Sequence, residues 1–291
     1  MRVTVEVPAS SANLGPGFDC LGLALAKYAR FTFEQARDFA VTGCPAAYAG
    51  RDNLAYASFA SLFDKAGREV PCVRLAIDSD VPIARGLGSS STCIVGGLVA
   101  ANAFLGGPFD SDELLQQAAA AEGHPDNVAA ALYGGLTASF TEGGRAVTVP
   151  YEVHPSWRFA VVIPDYEVRT HEARAVLPKT VSLGEAVHAL SHAVAMTRAL
   201  AEGDERLFAL AQNDVLHEPR RRELIADYGA VRALALESGI VGFVISGSGS
   251  TMLAATTDAS KAAAFVANVR EAFPGFEAQA LEVCRTGARV L

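Results

Sequence analysis

One glycine- and serine-rich segment has residue types suited to binding phosphate. Residues 82–91 read PIARGLGSSS, and the unbroken small and apolar stretch 92–105 follows directly. Glycine lets a backbone approach a ligand closely, and the start of a helix leaves N–H groups that attract an anion. Serine hydroxyls add possible phosphate or Mg²⁺ ligands. A plain glycine turn capped by serines accounts for the same residues equally well.

Two other loops carry polar side chains around glycines. Residues 10–19, SSANLGPGFD, place the Asn13 amide and the Asp19 carboxylate on either side of a glycine turn. Residues 246–250, SGSGS, separate two apolar runs that are typical of strands. Because turns commonly use these residue types for local backbone contacts, each loop by itself is weak evidence for a ligand site.

A fourth segment, residues 122–127, concentrates polar side chains beside apolar helix and reads EGHPDN. A glycine suits the end of one helix and a proline the start of the next, which explains Gly123 and Pro125. The Glu, His, Asp and Asn have no such explanation. They therefore indicate a ligand site.

Several common catalytic patterns are absent from the sequence. The GK[ST] of a Walker A loop does not occur, and Ser91 stands where GxGxxG would need its third glycine. There is no GxSxG, and the His-Glu pairs at 171–172 and 217–218 lack the second histidine of HExxH. His188 and His192 have helical spacing but no third metal ligand nearby. Rossmann, hydrolase and zinc-protease chemistry are disfavoured.

The elements that must position these loops mix strands and helices without a regular βαβ order. Residues 2–7 alternate as a strand does, and Pro8 is expected to end it. Asp52 is predicted to cap a helix over residues 53–66, and residues 92–105 read as a buried helix. The predicted fold class is α+β.

Length and composition predict an ordinary globular protein. The 291 residues are 51% hydrophobic and 19% charged, which suits one large domain or two modest ones. Turn residues cluster at 143–155, so we divide the chain into an N-terminal domain, 1–150, and a C-terminal domain, 151–291. The net charge of -8 argues against a nucleic-acid-binding protein.

The sequence predicts a cytoplasmic protein with no membrane segment. The start, MRVTVEVPAS, lacks the features of a signal peptide, and no apolar run is long enough for a membrane span. The 5 cysteines are scattered and form no CxxC pair. We expect free thiols rather than a disulfide framework or a zinc site.

Taken together, in this order and spacing, the segments resemble the GHMP kinase superfamily. PIARGLGSSS matches its PxxxGLGSS[AS] phosphate loop, and PASSANLGPGFDCLGLAL, EGHPDNVAAAL and THEARAVLP are similar to segments of the homoserine kinases. The resemblance implies an N-terminal domain like domain 2 of ribosomal protein S5 and a ferredoxin-like C-terminal domain. It also implies transfer of the γ-phosphoryl of ATP to the side-chain hydroxyl of L-homoserine, a step in threonine biosynthesis.

The resemblance further implies the nucleotide and metal residues. ATP would lie between the domains, with its base near Asn53. Ser90 and Glu122 would hold Mg²⁺. The phosphates would follow the loop formed by Pro82, Arg85, Gly86, Leu87, Gly88, Ser89, Ser90, Ser91 and Thr92.

By the same match, the resemblance implies a substrate site. Arg174 and Arg221 would bind the homoserine carboxylate, because a guanidinium fork suits that group, although Arg220 and Arg222 leave the register open. Asp19 suits the ammonium. Asn127 would orient the hydroxyl, so the catalytic set is Asn127, Glu122 and Ser90, and the substrate set is Asn13, Asp19, His124, Asn127, Arg174 and Arg221. Homoserine kinases are often dimers, which implies a homodimer here.

The third loop departs from the superfamily pattern. GSGP[ST] is usual, whereas this chain has Ser250 in place of the proline. Losing proline frees φ and adds an N–H donor, so we expect a more mobile loop.

Two other functions stay open. One is a GHMP kinase acting on mevalonate or a sugar, although a sugar site has no need for paired arginines. The other is a nucleotide-binding regulatory protein without catalysis, since a fold alone does not establish a function.

Overall fold

Two β-sheets with helices packed against them make up the structure, a computed structural model that describes residues 1–291. Seven strands form the larger sheet: β1 (Arg2–Asn13), β2 (Gly17–Gln35), β3 (Ala40–Thr42), β4 (Val73–Ser79), β5 (Leu136–Glu142), β6 (Arg145–Tyr151) and β11 (Arg289–Val290). Their order is β11-β1-β2-β4-β3, with β5 on β2 and β6 on β5. The α+β prediction is confirmed.

Four strands form the smaller sheet: β7 (Arg158–Ile163), β8 (Gly242–Ile245), β9 (Met252–Thr256) and β10 (Glu277–Leu281). Their order is β10-β7-β9-β8, and every neighbouring pair is antiparallel. One face of this sheet packs on helices from the same half of the chain and forms a second, smaller hydrophobic cluster.

The helices are α1 (Leu54–Lys65), α2 (Ser89–Leu105), α3 (Ser111–Glu122), α4 (Asp126–Tyr133), α5 (Thr170–Ala175), α6 (Leu183–Glu202), α7 (Glu205–Ala211), α8 (Glu218–Arg221), α9 (Tyr228–Glu237) and α10 (Ala259–Ala272). None of them combines the length and apolarity that crossing a membrane requires. The cysteines are all unpaired.

The first strand is longer than predicted. β1 does not end at Pro8 but continues to Asn13, with a shift of register against β2 between Pro8 and Ala9. A residue without an N–H is tolerated at such an irregularity, because no ladder hydrogen bond is lost there. Consequently Ser10 and Asn13 belong to a sheet and not to a free loop.

Helices α1 and α2 pack closely because α2 is rich in small residues. A Cβ added at Gly97 would lie 2.1 Å from the Ala55 carbonyl oxygen, so the two backbones approach each other closely at that point. The cap of α1 is Asn53 and not Asp52 as predicted: Asn53 Oδ1 accepts from the N–H groups of Ala55 and Tyr56. The close contact positions the start of α2.

The two sheets share one continuous core. The larger hydrophobic cluster combines residues of both sheets, including Phe31 of β2 and Phe159 of β7. Lys27 Nζ donates to Glu277 Oε1 at 2.7 Å and links β2 to β10. The chain leaves the larger sheet after β6, and β11 returns to it beside β1. We keep 1–150 and 151–291 as the proposed division into domains. In this division β11 belongs to the C-terminal part of the chain but pairs with β1 of the N-terminal part.

Candidate active site

One cavity of about 530 Å³ collects the segments that the sequence singled out. An apolar part of its wall comes from around β3, α1 and the end of β4, and includes Cys44, Tyr48 and Ile77. A polar part includes Asp19, Asn127 and Arg174. The phosphate loop runs from the first part to the second, because it follows β4 and ends beside Asn127. Outside the phosphate loop, the residues of the polar part are Asn13, Asp19, Glu122, His124, Asp126, Asn127, Thr170, Arg174, Arg221 and Ser248.

The start of α2 forms the centre of the cavity wall. This helix begins at Ser89, earlier than the residue 92 predicted from the apolar stretch, and Gly88 precedes it with φ +68°. A Cβ at Gly88 would lie 2.1 Å from Ser10 Oγ, so a larger residue would displace the Ser10 hydroxyl from its position beside Asn127. The N–H groups of the first helical turn have no intrahelical acceptor. They face an anion-binding position of the kind that nucleotide phosphates use.

Hydrogen bonds fasten the glycine-rich loops to one another. Ser10 N donates to Leu87 O at 3.1 Å, and Ser246 Oγ donates to Gly86 O at 2.6 Å. Asn13 Nδ2 donates to Gly247 O at 3.0 Å. Segments that are far apart in the sequence therefore form one rigid support for the phosphate loop.

Ser250 is held by a side-chain hydrogen bond that a proline could not make, because proline has no side-chain donor. Its Oγ donates to Tyr166 O at 2.7 Å, and the next residue, Thr251, donates its N–H to Arg85 O at 3.0 Å. The peptide bond between Gly249 and Ser250 is cis. Ser250 is buried, so the departure from the superfamily pattern coincides with an anchored residue.

Two residues of the predicted phosphate loop lie outside the cavity wall, and the guanidinium of a third binds elsewhere. Leu87 and Ser91 are buried and absent from its wall, because Leu87 packs in the large core and Ser91 is on the buried side of the first turn of α2. Arg85 lines the wall, but its guanidinium donates to the carbonyl oxygens of Pro164 and Asp165, at 3.1 and 2.8 Å. It therefore tethers the loop to the end of β7.

Ser90 and Glu122 meet as the metal prediction requires. Ser90 Oγ donates to Glu122 Oε1 at 2.6 Å, and both residues line the cavity. Nowhere in the chain do three His, Cys, Asp or Glu side chains cluster as a metal site. A hydroxyl and one carboxylate fit Mg²⁺, which takes oxygen ligands and usually completes its shell with phosphate oxygens and water.

Asp126 contacts both His124 and Asn127. Its Oδ1 accepts from His124 Nδ1 at 2.6 Å and from the N–H of Asn127 at 2.7 Å. The hydrogen bond with Asp126 raises the pKa of His124 above its ordinary value. Asn127 Oδ1 in turn accepts from Ser10 Oγ at 2.8 Å, so the Asn127 Nδ2 is the part of the amide left to donate in the cavity.

Asp19 and Arg174 pair with each other across the polar part of the cavity. Arg174 Nη1 and Nη2 donate to the two Asp19 carboxylate oxygens at 2.9 and 3.0 Å. Asp19 also has a positive φ of 52° and donates its N–H to Asn13 Oδ1 at 3.0 Å. Both charges are about one-third exposed, at 35% for Asp19 and 40% for Arg174, and so are accessible to a ligand.

Arg221 is a buried cation without a carboxylate within ion-pair distance. Its Nη1 donates to Gly247 O at 2.9 Å and its Nε to Ala173 O at 3.3 Å. Burial lowers the pKa of Arg221 to about 10. Arg220 and Arg222 are exposed and lie outside the cavity wall, so the structure places Arg221 in the register that the sequence left open. A buried guanidinium on a cavity wall favours an anionic ligand.

The side chain of Asn53 lines the cavity, and both of its polar atoms form hydrogen bonds within the protein. Besides capping α1 through Oδ1, it donates from Nδ2 to Tyr48 O at 2.8 Å. Asn53 therefore shapes the apolar part of the wall, and one N–H of its Nδ2 has no protein acceptor.

Sequence reasoning missed an aromatic and a histidine beside the arginines. The Phe18 ring lies under Arg221 and Arg174, with ring-centroid distances of 5.2 and 5.9 Å to the two Cζ atoms. His217 stacks on the same ring with centroids 5.2 Å apart. In the sequence, His217 appeared only as part of an incomplete zinc motif, and nothing in its local pattern marked the contact.

Family comparisons agree with the two-part architecture. Residues 53–135 match the family described as GHMP kinases N terminal domain, and residues 196–275 match GHMP kinases C terminal. The first match contains the phosphate loop and the EGHPDN segment, and the second contains Arg221 and the third glycine-rich loop.

Similar curated proteins are homoserine kinases. The chain is 46% identical over 262 residues to that of Synechococcus sp., covering 87% of this chain and 85% of the relative. It is 42% identical over 298 residues to that of Trichodesmium erythraeum, covering 98% and 97%.

Solved structures agree. A homoserine kinase from Cytophaga hutchinsonii superposes with a TM-score of 0.90 and 27% identity, covering 100% of this chain and 97% of the other. A mevalonate kinase from L. major, at 14% identity and a TM-score of 0.74, covers 97% of this chain and 96% of its own, and shares the fold alone. Family matches, sequence relatives and fold converge, and the chain belongs to the homoserine kinases of the GHMP kinase family.

Proposed function

We propose that this protein transfers the γ-phosphoryl group of ATP to the side-chain hydroxyl of L-homoserine and forms O-phospho-L-homoserine for threonine biosynthesis. One observation carries the proposal: a single cavity joins a helix-start phosphate loop to Asp19, Arg174 and Arg221. A carboxylate and two guanidinium groups match the ammonium and carboxylate of an amino acid.

The reaction needs positioning more than covalent chemistry. The transferred phosphoryl passes through a loose transition state, so its donor and acceptor have to be held in line. The first turn of α2 would hold the phosphates through its N–H groups. Asn127 would hold the substrate hydroxyl by donation from Nδ2. Asp126 Oδ1 already accepts from His124 and the Asn127 N–H, and the loose transition state demands little proton transfer early, so we assign no carboxylate base.

We also propose that Ser90 and Glu122 bind Mg²⁺, because their oxygens already lie within 2.6 Å of each other on the cavity wall. When bound, the ion would neutralise charge on the nucleotide phosphates. The chain's own contribution is to hold these two ligands at the end of α3 and the start of α2.

An ADP-release assay with homoserine, mevalonate and galactose tests the acceptor. We expect turnover with homoserine at a kcat/KM far above that with the other two alcohols. Equal turnover with mevalonate or galactose would favour the alternative of another GHMP kinase. Binding of ATP without turnover on any acceptor would favour a regulatory protein.

We propose, in addition, a homodimer that forms through α6. Four apolar side chains on this helix, Leu183, Val187, Leu190 and Val194, are exposed, and Leu183 is 82% accessible. Their spacing places them on one stripe of the helix. Under a two-fold axis such a stripe meets its own copy, which is the usual geometry of a homodimer contact. The cytoplasmic location stays a prediction.

A further inference from the structure

His217 is fully buried and has no part in the proposed phosphoryl transfer. Its Nε2 lies 2.7 Å from the Gly15 carbonyl oxygen. A carbonyl oxygen only accepts hydrogen bonds, so Nε2 carries the proton and donates. This contact joins the segment just before α8 to the glycine turn between β1 and β2, the turn that precedes Asp19.

The other ring nitrogen points to a substrate-binding arginine. With Nε2 protonated and the ring neutral, His217 Nδ1 is an acceptor, and Arg221 Nη1 lies 3.5 Å from it. Burial lowers the pKa of His217 to about 4, so the ring stays neutral at ordinary pH. A charged ring would repel the guanidinium, whereas a neutral one supports it.

A shared aromatic ring strengthens the link. His217 stacks on Phe18, and Arg221 lies over the same ring. The histidine therefore contacts the β1–β2 turn at Gly15, the ring of Phe18 and the guanidinium of Arg221.

The backbone around His217 is itself held in place. The Asp214 carboxylate accepts from the N–H groups of Leu216, His217 and Glu218, at 3.0, 2.7 and 2.7 Å. Because Asp214 fixes the backbone at residues 216–218, the His217 imidazole has a defined position relative to Gly15 and Arg221.

We infer that His217 is a positioning residue for the substrate site. It holds Arg221 and the Gly15 turn in fixed positions relative to each other. The guanidinium that would bind the substrate carboxylate is therefore in place before the substrate binds. The inference rests on the proposed function, because it assumes that Arg221 binds the acceptor substrate. A loosened arginine binds a carboxylate less tightly, since it has to be ordered at the moment of binding.

Two substitutions separate the hydrogen bonds from the ring. His217→Phe keeps an aromatic ring against Phe18 but removes the donor to Gly15 and the acceptor near Arg221. His217→Gln keeps a donor at nearly the position of Nε2. We expect His217→Phe to raise KM for homoserine at least about tenfold while KM for ATP stays within about twofold. His217→Gln should recover most of that loss.

A structural role alone would give a different pattern. It would lower Tm in both variants and change the two KM values to similar extents, and that outcome would overturn the inference. Phe265→Leu, a change in the smaller hydrophobic cluster away from the cavity, serves as a control that lowers Tm without a selective change in KM for homoserine. If His217→Phe does not fold, His217→Asn replaces it, because the shorter amide does not reach Gly15.

A double-mutant cycle tests whether His217 acts on substrate binding by holding Arg221. If His217 acts by holding Arg221, then His217→Phe should change KM for homoserine much less in an Arg221→Ala background than in the wild type. Additive effects would contradict the inference. Failure of the proposed function is distinguishable, because in that case the wild-type protein itself would not phosphorylate homoserine.

Discussion

Arg174 and Asp19 neutralise each other in the structure through paired hydrogen bonds. A substrate that binds between them would compete with this pair. Homoserine carries both a carboxylate and an ammonium group, so it can replace the contact that each side chain loses. A sugar supplies neither charge, and mevalonate supplies only the carboxylate.

Arg174→Ala should raise KM for homoserine roughly 10- to 100-fold, because a charge-assisted contact is lost and Asp19 is left without its partner. KM for ATP should change little. Steady-state kinetics with each substrate varied in turn will measure both values. Arg145→Ala is a matched control, since Arg145 forms an exposed pair with Asp112 at 2.6 Å, far from the cavity wall. A similar KM for homoserine in both variants would contradict the assignment.

Glu122→Gln should reduce kcat by about two orders of magnitude, because one carboxylate ligand to a hard cation is lost. The neutral amide keeps the size of the side chain, so the fold and Tm should change little. Titration of activity with Mg²⁺ gives the measurement, and Glu142→Gln, at an exposed position on β5, gives the control. Near-normal kcat at saturating Mg²⁺ would contradict the assignment of Glu122 as a metal ligand.

At the scale of elements, the site depends on where helices and strands begin and end. The sequence predicted α2 and the strand character of β1, because both have clear apolar patterns. It did not predict that α2 starts at Ser89 or that β1 passes through Pro8. Those boundaries depend on contacts between distant segments, such as Ser10 with Leu87 and Gly88, which no local pattern contains.

Gly88→Ala should abolish most activity, because the new Cβ would lie 2.1 Å from Ser10 Oγ, and either the loop or the Ser10 hydroxyl that donates to Asn127 would have to move. Gly106→Ala at the other end of α2 is the matched control. Both glycines have positive φ, at 68° and 88°, but a Cβ at Gly106 meets no atom within 4 Å. We expect each to lose about 1 kcal/mol of stability from backbone strain. Only Gly88→Ala should lose kcat, and equal kcat in the two variants would contradict the role of the loop.

At the scale of the whole molecule, sequence motifs predicted which residues lie together in the cavity, whereas contacts that depend on packing could not be predicted from them. Asp19, Glu122, Asn127 and Arg174 come together as the family resemblance implied. Arg85 instead reaches the end of β7. Its role could not be read from the motif, because a guanidinium bonds to whichever carbonyls the fold brings within reach.

Leu190→Glu should convert a dimer to a monomer, because it places a charge in the middle of the α6 stripe. Sedimentation equilibrium is the measurement, with the wild type expected near twice 30.4 kDa. Leu236→Glu, at an exposed position of α9, is the control that should leave the mass unchanged. A monomeric wild type would exclude the dimer.

Glu6→Gln should lower the free energy of unfolding at neutral pH, and this loss should become smaller at acidic pH. Burial alone would raise the pKa of Glu6, but hydrogen bonds from Arg289 and Arg30 bring it below the ordinary value of 4.5. A lowered pKa in the folded state adds stability above pH 4.5 that is lost as pH falls through the folded-state pKa. Urea unfolding of both proteins across this range measures the difference, which should shrink in acid. A constant difference would contradict the charge effect.

The pairing of β11 with β1 has a consequence for synthesis in the cell. Val290 lies beside Val5, so the ribosome makes one edge strand of the larger sheet only after the entire smaller sheet. During translation, the outer edge of β1 stays exposed to other chains for that whole interval. Synthesis of β11 then covers this edge at Val5 and Glu6, so the last pairing of the larger sheet waits for a strand that is made after every strand of the smaller one.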